Sequence, residues 1–183
     1  MRMSYRALAL TLVAGCATAT IGACSGQPHA AARPSLASRP SAAPAVYISG
    51  CPVTQPRAAP ELHASGAGSN TLFGADSAYG NDQLWVGGLG SGGVIDDPRM
   101  VHPDASVSWK FGWYRLVPGE LRITGRRLDG PAAAVRGDVP DGYGDIGFQA
   151  SGVDFPTAGC WEVTGTVGTG RLTFVTLVRS SGS

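Results

Sequence analysis

Lysine is almost missing from this chain: of 14 basic residues only Lys110 is one, the rest being arginine. Glutamate is scarce, at Glu61, Glu120 and Glu162, and histidine occurs only at His29, His63 and His102. Charged residues make up 15% of 183 and sum to a net +1, so the broad basic footprint of a nucleic-acid binder is lacking. There is no C-x-x-C, which removes thioredoxin-like redox chemistry. There is no G-x-S-x-G elbow either, because Leu89 stands where the first glycine before Ser91 would be. A P-loop is excluded because the single lysine sits inside a β-rich run. From Val46 onward no stretch carries a 3.6-residue apolar period, which argues against helical domains.

The composition is otherwise rich in alanine, arginine and glycine, with 27 Gly and 13 Pro, a balance that suggests GC-rich bacterial codons. The N-terminus reads as an address. Arg2 and Arg6 precede an apolar run, Ala7 to Gly15, broken only by Thr11 and too short for a permanent membrane span. Two stretches resemble the lipobox of bacterial lipoproteins: Val13-Ala14-Gly15-Cys16 and Ile21-Gly22-Ala23-Cys24. That resemblance implies cleavage before a cysteine whose thiol then carries a diacylglyceryl group. Cleavage before Cys24 removes Cys16 and leaves Cys51 and Cys160 to pair, whereas cleavage before Cys16 leaves Cys24 as an odd exported thiol. Cys24 is therefore the expected anchor and Cys16 the runner-up, with ordinary secretion a third course. Residues 1–23 are the signal, and 24–45, with prolines at 28, 34, 40 and 44, read as a disordered tether holding His29. The expected location is the outer face of the bacterial cytoplasmic membrane.

Residues 46–183 read as one all-β domain. Short β-rich runs at 46–49, 71–73, 83–86, 107–115, 120–125, 146–150, 161–167 and 171–178 alternate with Gly, Pro, Asp and Asn clusters. Leu121 and Ile123 alternate with Glu120, Arg122 and Thr124, the pattern of a strand with one wet face. Gly168-Thr169-Gly170 joins the last two runs as a hairpin. These features predict a single antiparallel β-sandwich, immunoglobulin-like. Trp161, Val163 and Val167 share one parity, and Cys160, Glu162 and Thr164 the other. A Cys51–Cys160 disulfide would then lie outside the inter-sheet core and staple the N-terminal segment to the next-to-last strand.

Gly142-Tyr143-Gly144, Gly147-Phe148-Gln149 and Phe155-Pro156-Thr157-Ala158-Gly159-Cys160-Trp161-Glu162-Val163-Thr164-Gly165 resemble an uncharacterised family of bacterial exported domains. Leu121-Arg122-Ile123-Thr124-Gly125 with Arg127-Leu128-Asp129-Gly130 is similar to that family too. The resemblance covers about the C-terminal half of the domain and implies fold and location, without an activity. Pro156-x-x-Gly159-x-Trp161 also resembles the start of strand F in immunoglobulin-like sandwiches.

For chemistry, Gly88-Leu89-Gly90-Ser91-Gly92-Gly93 fits G-x-G-x-x-G, but Val94-Ile95-Asp96-Asp97-Pro98 follows in place of the helix a pyrophosphate needs, so a flexible loop is expected. Asp138, Asp141 and Asp145 lie on a Gly-bent stretch that offers a weak calcium site or ordinary turns. Trp109, Phe111 and Trp113 share one face of their strand, opposite Lys110 and Tyr114. They form either a core seam or, with Tyr114 and Tyr143, a stacking platform for sugar rings. Trp85 and Trp161 have core parity. No cofactor is expected. The function expected is a lipid-anchored extracytoplasmic binding module for a wall glycan or an envelope protein. The alternatives are a small exported hydrolase or metal-dependent enzyme, needing His63 or His102 near Asp138, Asp141 or Asp145, and a purely structural envelope lipoprotein.

Overall fold

The computed structural model describes residues 45–59, 62, 72–74 and 76–180. The signal, both lipoboxes, the tether as far as Pro44, Glu61 and His63 lie outside them, while Ala45, expected to end the tether, begins the first strand. The strands are β1 (Ala45–Ile48), β2 (Cys51–Thr54), β3 (Ala78–Gly80), β4 (Leu84–Gly87), β5 (Val94–Ile95), β6 (Val107–Arg115), β7 (Leu121–Arg127), β8 (Arg136–Asp138), β9 (Gly147–Phe155), β10 (Gly159–Val167) and β11 (Gly170–Val178). A five-stranded sheet, ordered β3-β4-β6-β9-β8, packs on a four-stranded sheet, ordered β5-β11-β10-β7, and β1-β2 form a separate hairpin. Strand pairs are antiparallel except β5 with β11, which run parallel. The domain is thus an all-β sandwich.

Period-two alternation explains the long strands. On β6 Val107, Phe111 and Trp113 point into the sandwich and are buried, while Ser108 and Lys110 point outward. Leu121 and Ile123 of β7 turn inward between exposed Arg122 and Thr124. From β10 come Trp161, Val163 and Val167, all fully buried. Rings from both sheets interlock: Phe111 meets Phe174 edge-on at 5.4 Å, and Phe155 meets Trp161 at 5.6 Å. Such pairs add about 0.5–1.5 kcal/mol each beyond burial of their area. Trp113 lies against Gly165 of β10, where a Cβ would come within 2.4 Å of the indole. The Trp113 Nε1–H donates to Ser151 Oγ at 3.0 Å, so the buried indole keeps a partner.

Two further apolar clusters lie outside this core. Ala59, Leu62, Phe73, Ala78 and Trp85, with Leu72, Tyr114 and Phe148 beside them, cover the outer face of the five-stranded sheet. Of the run expected at 71–73, Leu72 and Phe73 are not a strand but sit in a turn whose side chains cap that face, and Thr71 lies outside the described residues. Leu72 fits because Gly112 beneath it has no side chain, and a Cβ there would come within 2.3 Å of Leu72 Cδ2.

The second cluster is the disulfide. Cys51 and Cys160 are bonded, with Cα atoms 5.5 Å apart, and pack with Val53 and Leu177 away from the inter-sheet core. Parity had placed Cys160 on the outer face, and there it anchors β2. The Val175 N–H, on β11, donates to Thr54 Oγ1 at 2.9 Å and secures the same hairpin. The Gly-rich loop after β4 is ordered: Leu89 is buried, Ser91–Gly93 form a 3-10 turn, and β5 joins the opposite sheet. Gly168 opens the β10–β11 hairpin at φ 52°, the positive value such tight turns require.

Candidate functional site

The aromatic strand is divided by burial. Trp113 has no exposed surface and Phe111 almost none, so both are core residues, and a stacking ligand cannot reach Trp113. Tyr114 turns to the outer cluster, edge-on to Phe73 at 6.3 Å. Tyr143 is exposed in the loop before β9 and touches Phe148. Tyr47 on β1 is more exposed still, at 75% against 40% for Tyr143.

Trp109 differs from its neighbours on the same face because β4 ends at Gly87, paired with Gly112, and so does not extend alongside it, leaving β9 as its one neighbouring strand among the described residues. The chain crosses there towards the other sheet, and Trp109 Nε1–H donates to the Gly88 carbonyl at 2.6 Å, which fixes the ring. The half-buried indole, with Gly90, Ser91, Val94, Asp96, Asp97 and Arg179, lines a groove of about 420 Å³, within the ~300–1,000 Å³ usual for ligand sites.

The rim of this groove is charged but balanced. Arg179 reaches Asp96 at 3.4 Å, and Arg99 reaches Asp97 at 2.7 Å. Asp97 also accepts the Arg99 backbone N–H at 3.0 Å, capping the 3-10 turn Pro98–Met100. The hydrogen bonds from the Arg99 side chain and backbone hold the Asp97 carboxyl down to about 2, so it is ionised at any physiological pH. A fixed aromatic face beside carboxylate acceptors and a guanidinium suits a flat ligand with an apolar face and hydroxyl edges.

A second groove, about 430 Å³, lies on the outer face of the five-stranded sheet and is lined by His102, Pro103, Asp104, Ser106, Ser108, Arg136 and Asp154. Register assembles it: Ser108 of β6 stands opposite Asp154 of β9, which stands opposite Arg136 of β8. Ser108 Oγ donates to Asp154 Oδ1 at 2.5 Å, and His102 Nε2 lies 2.7 Å from Ser108 Oγ. With its proton given to Asp154, Ser108 Oγ is an acceptor for His102 Nε2 in the tautomer that carries a hydrogen there. A serine nucleophile needs the histidine between it and the acid. Here the serine stands between the histidine and the acid, which is not the order of that triad.

His102 therefore meets Ser108 and the acids Asp104 and Asp154, not Asp138, Asp141 or Asp145. Asp138 lies on β8, and Asp141 and Asp145 on the exposed loop beyond it. Among the described residues no three His, Cys, Asp or Glu side chains gather as a metal site. The second groove escaped sequence reading because Ser108 and Asp154 are 46 residues apart and only strand register joins them. The one available signal was the shared outward parity of Ser108 with Lys110. Compared with known proteins, the chain matches no family model, no curated protein and no solved structure.

Proposed function

We propose that this chain is a lipid-anchored extracytoplasmic binding module, an immunoglobulin-like sandwich that grips an uncharged stretch of wall glycan in the groove floored by Trp109. The observation that carries the reading is that groove: one fixed, half-buried indole beside Asp96, Asp97, Ser91 and Arg179. Two carboxylates offset by two guanidiniums favour neutral sugar units over a polyanion, whose like charges Asp96 and Asp97 would repel. Export is supported by the lipobox at Cys24 and by the Cys51–Cys160 bond, which persists in an oxidising compartment.

The immunoglobulin-like reading rests on connectivity. The order β4-β6-β9-β8 facing β7-β10-β11 corresponds to strands A-B-E-D facing C-F-G. In that correspondence β10, which begins at Gly159 and carries Trp161, would be strand F, and this supports the resemblance of Pro156-x-x-Gly159-x-Trp161 to its start.

The test is a titration of the full-length protein with soluble, peptide-free wall glycan strands, followed by tryptophan fluorescence. Saturable quenching is expected, with Trp109→Ala weakening binding at least tenfold, or about 1.4 kcal/mol. Trp109→Phe, which keeps a ring, should retain most of it, and Asp97→Asn should lose part. No saturable change in the wild type, or equal binding by Trp109→Ala, would overturn the proposal.

A further inference from the structure

The groove beside His102 has a ligand chemistry of its own, independent of the glycan reading. We propose that it binds a short zwitterionic peptide with small side chains, its carboxylate on Arg136 and its ammonium among Asp104 and Asp154.

Charge is the first argument. Arg136 lies on the edge strand β8 with its side chain 82% exposed, and its one ion pair among the described residues is a loose contact to Asp154 at 3.5 Å. A guanidinium held this weakly presents its remaining donors for bidentate capture of a carboxylate. Asp154 is aimed by Ser108, which donates to Oδ1, and Ser108 is in turn held by His102. Asp104 accepts from Ser106 Oγ at 2.6 Å and from the Ser106 backbone N–H at 3.1 Å. Both carboxylates therefore stand oriented before any ligand arrives, which lowers the ordering cost of binding.

Shape is the second argument. A further hollow of about 350 Å³ shares Asp104, Ser106, Arg136 and Asp154 with the first, and adds Ala133, Ala134 and Pro156. The two adjoin through those four shared residues, the first lined by polar groups around His102 and the second walled by Ala133, Ala134 and Pro156. Methyl-sized side chains fit that wall. Phosphate-bearing ligands are disfavoured by Asp104 and Asp154, and polycations by Arg136, so a molecule carrying both charges matches best.

The test is an amide NMR titration of the full-length protein with L-alanyl-L-alanine, its N-acetyl form and its C-terminal amide. Saturable shifts are expected at Ser106, Ser108, Ala134 and Arg136 with the free dipeptide. Acetylation or amidation should each weaken binding at least tenfold. Arg136→Ala and Asp104→Asn should do the same with an unchanged, dispersed spectrum, since both side chains are exposed. Trp109→Ala should leave dipeptide affinity within twofold, so a failure here is separable from a failure of the glycan reading. Absence of saturable shifts, equal binding of the blocked forms, or indifference to Arg136→Ala would overturn the assignment.

Discussion

Replacing both Cys51 and Cys160 by alanine tests the account of how the N-terminal hairpin is held. The bond closes a loop of 109 residues. In the chain-entropy model such a loop stabilises the fold by about 4.8 kcal/mol at 25 °C, by restricting the unfolded ensemble. For a domain of about 140 residues the unfolding entropy near the midpoint is ~0.3 kcal/mol/K, so the melting temperature should fall by about 16 °C. The m-value should rise as well, because an uncrosslinked unfolded chain exposes more surface. Both follow from calorimetry and urea titration of the oxidised protein and the double variant. Below its midpoint the variant should keep the near-UV signal of Trp113 and Trp161, because the disulfide cluster lies outside the core that buries them. A loss under about 4 °C with an unchanged m-value would refute the staple, since it corresponds to little more than 1 kcal/mol. Loss of the tryptophan signal below the midpoint would instead place the bond within the cooperative core.

Three other outcomes are expected. Gly165→Ala should cost about 2 kcal/mol and about 7 °C, because its Cβ would stand 2.4 Å from the buried Trp113 ring; a double-mutant cycle with Trp113→Leu should show coupling, and additivity would count against the contact. The Asp97 carboxyl should titrate near 2 in NMR, against an ordinary 3.8, and return towards that value in Arg99→Ala. Its folded-state value is depressed, so its contribution to stability is present above about pH 4 and lost as pH falls through about 2; an ordinary titration in the wild type would contradict the pairing. Cys24→Ala should release the protein from membranes into the soluble fraction, whereas retention would shift the anchor to Cys16.

Much of the sandwich was legible because long strands with one buried face write their period directly into the chain. β6, β7, β10 and β11 were found in place for that reason, and β9 was found but ended too early, at 150 instead of Phe155. Its extension alternates small and polar residues with Val153 and Phe155, a weaker signal. β3, β5 and β8 were missed because two or three residues cannot display a period. β2 was missed because its short run begins at Cys51-Pro52 and is buried on nearly every side chain against the other sheet's outer face. The run 71–73 misled for a related reason: its half-buried Leu72 and buried Phe73 belong to a turn lying on a sheet, which composition alone does not distinguish from a strand.

By itself the sequence determined the all-β class and the inward and outward parity of the main strands, and, with cleavage expected before Cys24, it pointed to the cysteine pairing that the structure shows. All three depend on local spacing or simple counting. Tertiary structure decided which of three aromatics on one face stays reachable, because that depends on where β4 stops covering β6. It also decided that His102, Ser108, Asp154 and Arg136 share a groove, because hydrogen-bonded register between β6, β9 and β8 is a long-range property. Side-chain parity is written residue by residue, whereas a site made across strands exists only once the strands have paired.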